Sequence, residues 1–250
     1  MVNSFKFKKI LITGATSRFF RYLKNELPER SLNCPKKKNF NLLKLSQMYN
    51  YVKKKKFTHL IHIAGLSRPM EEHDKNIIKS IDLNIIGTAN IVKLCELNNI
   101  KLIYFSTNYV YPCKKGNYKE NDPLLPINNY AWSKLGGECS VNMYKKSLIL
   151  RICMTDYPFI HKKAVHGGYS SFLFNKTVAK IIPHLLNEKG IINIGGKRRE
   201  IYKFALKFSN RRVSKISINK IKDFPKDSSL NIDKLRIILN KNKISNKITL

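Results

Sequence analysis

Four short, nearly continuous apolar runs limit what this chain can fold into: residues 9–13 (KILIT), 59–64 (HLIHIA), 101–106 (KLIYFS) and 147–152 (SLILRI). Each has strand length and lacks the polar alternation of a half-exposed strand, so each reads as a strand covered on both faces. Helix-length patterns lie between them, at 19–27, 43–54, 77–97 and 130–144. Buried strands that alternate with helices predict an α/β fold built on a doubly wound parallel sheet. A weaker strand is expected at 31–34, a glycine-bounded one at 190–195 (GIINIG), and a short helix near 232–239. The alternation loosens after Ile152. The expected division is therefore a sheet domain over residues 1–152 and a small lobe over 153–250, parts of which return to the sheet.

Composition narrows the function classes. Hydrophobic residues make up 43% of the 250, enough for a folded core. No run approaches the roughly 18 apolar residues of a membrane span, so no membrane partner is expected. Lys and Arg number 48 against 16 Asp and Glu, a net charge of +32. Only ten of the 48 are Arg, and the lysines run the whole length beside abundant Asn and Ile. Those three residues share A/T-rich codons, so compositional drift explains them together and no specific nucleic-acid partner is expected. Attraction for small anions such as nucleotides is the other reading of the charge. Five cysteines, an odd number with no C-x-x-C, and six histidines without metal spacing argue against a disulfide frame and against a metal site. With no signal-peptide anatomy at the start, the expectation is a cytoplasmic protein.

The first strand runs into Thr13-Gly14-Ala15-Thr16-Ser17-Arg18-Phe19-Phe20. A glycine at such a strand-to-helix turn lets backbone approach a phosphate at the helix start. This turn resembles the G-x-x-G-x-x-G turn of extended short-chain dehydrogenases, with Gly14 as the one glycine kept. Ser17 stands at the second glycine position, where its Cβ disfavours a positive φ, and Phe20 at the third, where close packing excludes a ring. The resemblance implies that Gly14, Thr16, Ser17, Arg18 and Phe19 border an NADP or NAD cofactor. Arg18 either pairs with a 2′-phosphate or is a solvated surface arginine.

A longer signature follows. Ser106-Thr107-Asn108-Tyr109-Val110-Tyr111-Pro112 closes a strand, Glu120-Asn121-Asp122-Pro123 follows, and Asn129-Tyr130-Ala131-Trp132-Ser133-Lys134-Leu135-Gly136-Gly137-Glu138 opens a helix. Residues at i and i+4 share a helix face, so Tyr130 and Lys134 can address one ligand. An ammonium beside a phenol favours phenolate and lowers its pKa. These segments resemble the catalytic core of the extended short-chain dehydrogenase/reductase family, in particular its dTDP-4-dehydrorhamnose reductase-like members. The resemblance implies Thr107, Tyr130 and Lys134 as the catalytic trio. Thr107 would hold the substrate carbonyl, Tyr130 would donate the proton, and Lys134 would also hold the nicotinamide ribose.

His62-Ile63-Ala64-Gly65 matches the family's turn beside the cofactor, which implies cofactor contacts at Ala64 and Gly65. Asp82-Leu83-Asn84-Ile85-Ile86-Gly87-Thr88-Ala89-Asn90 matches its following helix, and Asn39-Phe40 stands where an adenine-flanking pair is placed. Residues 190–195, Ile201-Tyr202-Lys203-Phe204-Ala205 and Ser228-Ser229-Leu230-Asn231-Ile232-Asp233-Lys234-Leu235 extend the likeness to the C-terminal part. Residues 1–152 would then be an NAD(P)-binding Rossmann domain and 153–250 a small substrate-binding lobe. The implied activity is NAD(P)-dependent reduction of a keto sugar carried on a nucleotide diphosphate. Sugar-nucleotide dehydratases carry Asp-Glu after the threonine, where this chain has Asn108-Tyr109, and fucose-type epimerase-reductases carry a cysteine where it has Tyr109. An ordinary epimerase needs only the tyrosine and cofactor and stays open. So does a non-catalytic relative of the kind seen in the regulatory subunit of methionine adenosyltransferase. The family often forms homodimers through helices equivalent to 77–97 and 130–144, where Ile81, Ile85, Leu135 and Val141 serve either an interface or the core.

Overall fold

The structure, a computed structural model, describes residues 8–221, 224–244 and 248. Its centre is a six-stranded sheet: β1 (Ile10–Thr13), β2 (Leu32–Asn33), β3 (His59–His62), β4 (Lys101–Thr107), β5 (Ser147–Ile152) and β6 (Gly190–Ile194). In space the order is β6-β5-β4-β3-β1-β2, and every neighbouring pair is parallel. The chain steps outward from β1 to β2 and then returns to the other side of β1 as β3. A crevice therefore opens between the carboxyl ends of β1 and β3, where sheets of this kind receive ligands.

The strands are apolar on both faces because helices cover both. On one side Ile10, Ile12, Ile61, Phe105 and Leu150 pack with α1 (Arg18–Leu23), α5 (Asn175–Leu185) and α7 (Asp233–Lys241), through Phe19, Leu23, Val178, Ile182, Leu235 and Leu239. On the other, Leu11, Leu60, Leu102, Tyr104 and Ile149 pack with α2 (Leu45–Val52), α3 (Gly87–Leu97) and α4 (Asn129–Asn142), through Met48, Val52, Ile91, Leu94 and Val141. Successive residues of one strand thus enter different cores, as the period of two requires. This is the doubly wound sheet that the sequence predicts.

Several elements differ from expectation at their ends. The helix expected over 19–27 stops at Leu23, runs through turns closed by Asn25 N to Tyr22 O and Glu26 N to Leu23 O, and meets Pro28. The long helix expected over 77–97 is one α-turn (Ile77–Ser80), a π-helical stretch (Ile81–Ile86) and then α3. Beyond β5 the chain forms three two-stranded ribbons that its sequence does not announce: Met154–Thr155 with Leu173–Phe174, Lys163–His166 with Ser214–Ser217, and Tyr169–Ser170 with Arg199–Glu200. Strands of two to four residues are too short to carry a readable period. Phe159, Ala164, Val213 and the residues Ile201, Phe204 and Ala205 of α6 (Ile201–Phe208) give this part a small core of its own.

Of the four positions open to core or interface, Val141 is fully buried. Ile81 is exposed, and it joins Ile77, Ile85, Trp132, Leu135 and Cys139 around a groove of about 390 Å³. Among the described residues no helix is long and apolar enough to cross a membrane.

Candidate active site

A cleft of about 660 Å³ lies at the carboxyl ends of β1, β3, β4 and β5. Of the site residues named from the sequence, Gly14, Thr16, Ser17, Arg18, Phe19, Ala64, Gly65, Thr107, Tyr130 and Lys134 line it. Asn39 and Phe40 do not. Phe40 is buried in the core, edge-on to Tyr51 with ring centroids 5.5 Å apart.

The turn after β1 works with one glycine. Gly14 has φ +79°, and a Cβ there would lie 2.6 Å from the Ala64 backbone nitrogen. The close approach of the β1 and β3 turns therefore excludes a side chain at this position. Ser17 corrects the sequence reading. Its φ is −68°, so no left-handed backbone is needed, and its hydroxyl caps α1 by accepting from Phe20 N at 3.2 Å. Phe20 does not block the turn either; it is partly buried against the main core beside Phe19, whose ring lies 5.2 Å from Phe105.

Thr107 is the last residue of β4 and 5% exposed; its Oγ1 accepts from Tyr109 N at 3.3 Å. Asn128 caps α4 by accepting from Ala131 N at 2.9 Å, which fixes the helix start one residue before Tyr130. Lys134 follows one turn later, 8% exposed, with Nζ 4.2 Å above the Tyr104 ring. The Tyr104 hydroxyl donates to the Lys134 carbonyl at 3.0 Å. Burial pulls the Lys134 pKa down to about 7, against the opposing charge of Glu138. For Tyr130 burial raises the pKa, while a hydrogen bond with Thr107 and the charge of Arg68 pull the other way. The lowering expected from the Lys134 ammonium does not arise: its charge is not among those acting on the phenol, and desolvation is the largest influence.

Other residues build the frame. His62, buried at the end of β3, bridges Thr13 Oγ1 (2.7 Å) and Thr88 Oγ1 (3.1 Å), and burial takes its pKa down to about 3, so it is a neutral strut. Asn84, in the π-helical stretch, accepts from Leu66 N at 2.7 Å and donates to Leu66 O and Ser133 Oγ, both at 2.8 Å. It ties the Ala64–Gly65 turn to the helix that carries Tyr130, and a Cβ at Gly65 would meet its Oδ1 at 2.7 Å. His73 packs edge-on to the Tyr130 ring at 5.2 Å while its Nδ1 bonds Ser80 Oγ at 2.7 Å.

Sequence reasoning gave no site role to several polar residues of the cleft, among them Arg68, Tyr109, Asp156 and Asn175. Asp156 Oδ2 accepts from Arg18 at 2.8 Å and lies 3.9 Å from Arg68, and its Oδ1 accepts from Asn175 at 2.7 Å. The only sequence signal was position, since each follows the carboxyl end of a strand or starts a helix. Among the described residues no three His, Cys, Asp or Glu side chains gather as for a metal ion.

A parallel doubly wound sheet with a glycine turn at its switch point and a Thr, Tyr and Lys at one cleft defines a Rossmann-type protein of the extended short-chain dehydrogenase class. Residues 8–155 match the RmlD substrate binding domain family, and the chain belongs to that family. Methionine adenosyltransferase 2 subunit beta of Xenopus laevis is 30% identical over 143 residues, covering 54% of this chain. The match spans 42% of that relative's own length, so less than half of it is represented here. A crystal structure of dTDP-4-dehydrorhamnose reductase from Bacillus anthracis in complex with NADP superposes with a TM-score of 0.81 at 22% identity, over 92% of each chain. The Bordetella bronchiseptica enzyme WbmG, in complex with NAD and UDP, gives 0.74 at 18% identity, over 93% of this chain and 88% of its own. At these identities the structural likeness is one of fold.

Proposed function

We propose that this cleft is the active site of an NAD(P)-dependent reductase acting on a keto sugar carried on a nucleotide diphosphate. The observation that carries the reading is the meeting of Thr107, Tyr130 and Lys134 in one cleft with the Gly14 turn. The residues fit a dinucleotide: the Gly14 turn lies at the switch point between β1 and β3, and the cleft runs on from there to Tyr130. The backbone from Gly14 to Phe19, with Ala64 and Gly65, would hold it, and Lys134 would hold its ribose. The bound dinucleotide supplies the hydride.

The chain's own groups do the rest. Thr107 Oγ1 orients the substrate carbonyl by donating a hydrogen bond. Tyr130 gives that oxygen its proton, and the upward shift from burial keeps the phenol protonated at neutral pH, the form a donor needs. Lys134 titrates near neutrality and supplies positive charge beside the phenolate that remains. Tyr130→Phe removes only the hydroxyl. Turnover of a keto-sugar nucleotide should fall by about two to four orders of magnitude while NADPH or NADH binding persists. An unchanged rate would end the assignment.

A second reading, a binding or regulatory protein on the same fold, draws support from the likeness to methionine adenosyltransferase 2 subunit beta. Fluorescence titration with NADH and NADPH separates the two. Saturable binding with Tyr130-dependent turnover supports the reductase, and binding without turnover supports the regulatory protein. An epimerase would return its cofactor unchanged with an inverted sugar as product.

A further inference from the structure

Two arginines reach the cleft from different elements and meet one carboxylate. Arg18 begins α1, Arg68 lies in the loop after β3, and Asp156 follows β5. Arg18 donates to Asp156 Oδ2 at 2.8 Å, and an Arg68 nitrogen lies 3.9 Å from the same oxygen. The partners are unequally held. The Asp156 side chain is 14% exposed and is pinned through its other oxygen by Asn175 at 2.7 Å. The arginine side chains are 53% and 45% exposed, so they have room to turn. All four groups line the cleft that also holds Tyr109 and Tyr130.

The geometry points to an anion-exchange latch: Asp156 holds Arg18 and Arg68 in the ligand-free protein, and a phosphate group of the bound nucleotide takes the guanidiniums from it. The inference rests on reading the cleft as a nucleotide site and adds to it the chemistry of recognition. A guanidinium presents a planar fork of N–H donors that matches phosphate oxygens as well as carboxylate. At 3.9 Å the Arg68–Asp156 contact is an ion pair without a hydrogen bond, so the Arg68 donors stay available to a ligand. Arg68 is also close enough to lower the phenol pKa of both Tyr130 and Tyr109 against their burial. An anion drawn to it is therefore held beside the proton donor. Exposed pairs of this kind are weak, so a di- or trianionic ligand can outcompete a single carboxylate.

Titration calorimetry with inorganic pyrophosphate tests the latch without any turnover. Asp156→Asn keeps an oxygen for Asn175 but drops the charge, and should tighten pyrophosphate binding by about three- to tenfold. Arg68→Gln should weaken it by a similar factor in either background. UDP and dTDP form one arm, and NAD and NADP the other. The arm that gains affinity in Asp156→Asn tells whether the substrate's diphosphate or the cofactor's takes over the arginines. Unchanged or weaker pyrophosphate binding in Asp156→Asn overturns the latch. So does a lower melting temperature without any gain in binding, which would make the trio a structural strap. The Tyr130→Phe result does not bear on this measurement, so each idea can fail alone.

Discussion

Replacing Lys134 by Met should stabilise the ligand-free protein while disabling the site. Lys134 is 8% exposed, and burial lowers its pKa from 10.5 to about 7. Holding it charged at low pH therefore costs up to the free energy of that shift, about 5 kcal/mol at about 1.4 kcal/mol per unit. Water entry and side-chain relaxation return part of it, so the expected net gain on removing the amine is about 1–3 kcal/mol. In a chain of this length that raises the melting temperature by about 2–10 °C. Met also fills the space, keeping an apolar contact with the Tyr104 ring over which Nζ lies at 4.2 Å. The pH dependence is the sharper readout. Between about 7 and 10.5 the unfolded chain holds the proton and the folded chain does not, so wild-type stability rises with pH across that window. Lys134→Met lacks this rise. Its advantage should be largest below pH 7 and gone near 10.5. Lys101, whose pKa burial lowers to about 8, is present in both proteins and cancels in the difference. Urea melts of both proteins across that range measure it. A variant less stable than wild type near neutrality, or an advantage flat with pH, would refute the argument.

The turn and the surface give further tests. Gly14→Ala should cost about 1–3 kcal/mol and abolish NADPH and NADH binding, because φ is +79° and the new methyl would press on the Ala64 backbone; a melt and a fluorescence titration check both effects. Ser17→Ala should lose about 1 kcal/mol with its cap, whereas Ser17→Gly should lose only a few tenths, so the pair of melts separates capping from backbone freedom. Phe20→Gly should destabilise without improving cofactor affinity, since the ring packs on the core and does not obstruct the turn. If the exposed stripe of Ile77, Ile81 and Trp132 covers a second copy of the chain, light scattering will read a dimer that Ile81→Glu converts to monomer.

Much of this protein was legible without coordinates because it is written in local periodicity. Continuous apolar runs of strand length placed β1, β3, β4, β5 and β6, and the i, i+4 spacing placed Tyr130 and Lys134 on one helix face. Thr107 at a strand end completed the trio. What escaped was set by the folding of distant segments onto one another. Arg18 and Asp156 are 138 residues apart and meet only because β1 and β5 end on the same side of the sheet. His73 touches Tyr130, and Asn84 joins the β3 turn to α4, for the same reason. The backbone of Ser17 could not be read from its residue type, since a serine that caps a helix and a serine that replaces a left-handed glycine look alike in one dimension. Nor could the sense of the Tyr130 shift. The neighbouring lysine is visible in sequence, but its charge does not set the shift; the burial that does comes from side chains that only the packed structure brings around the phenol.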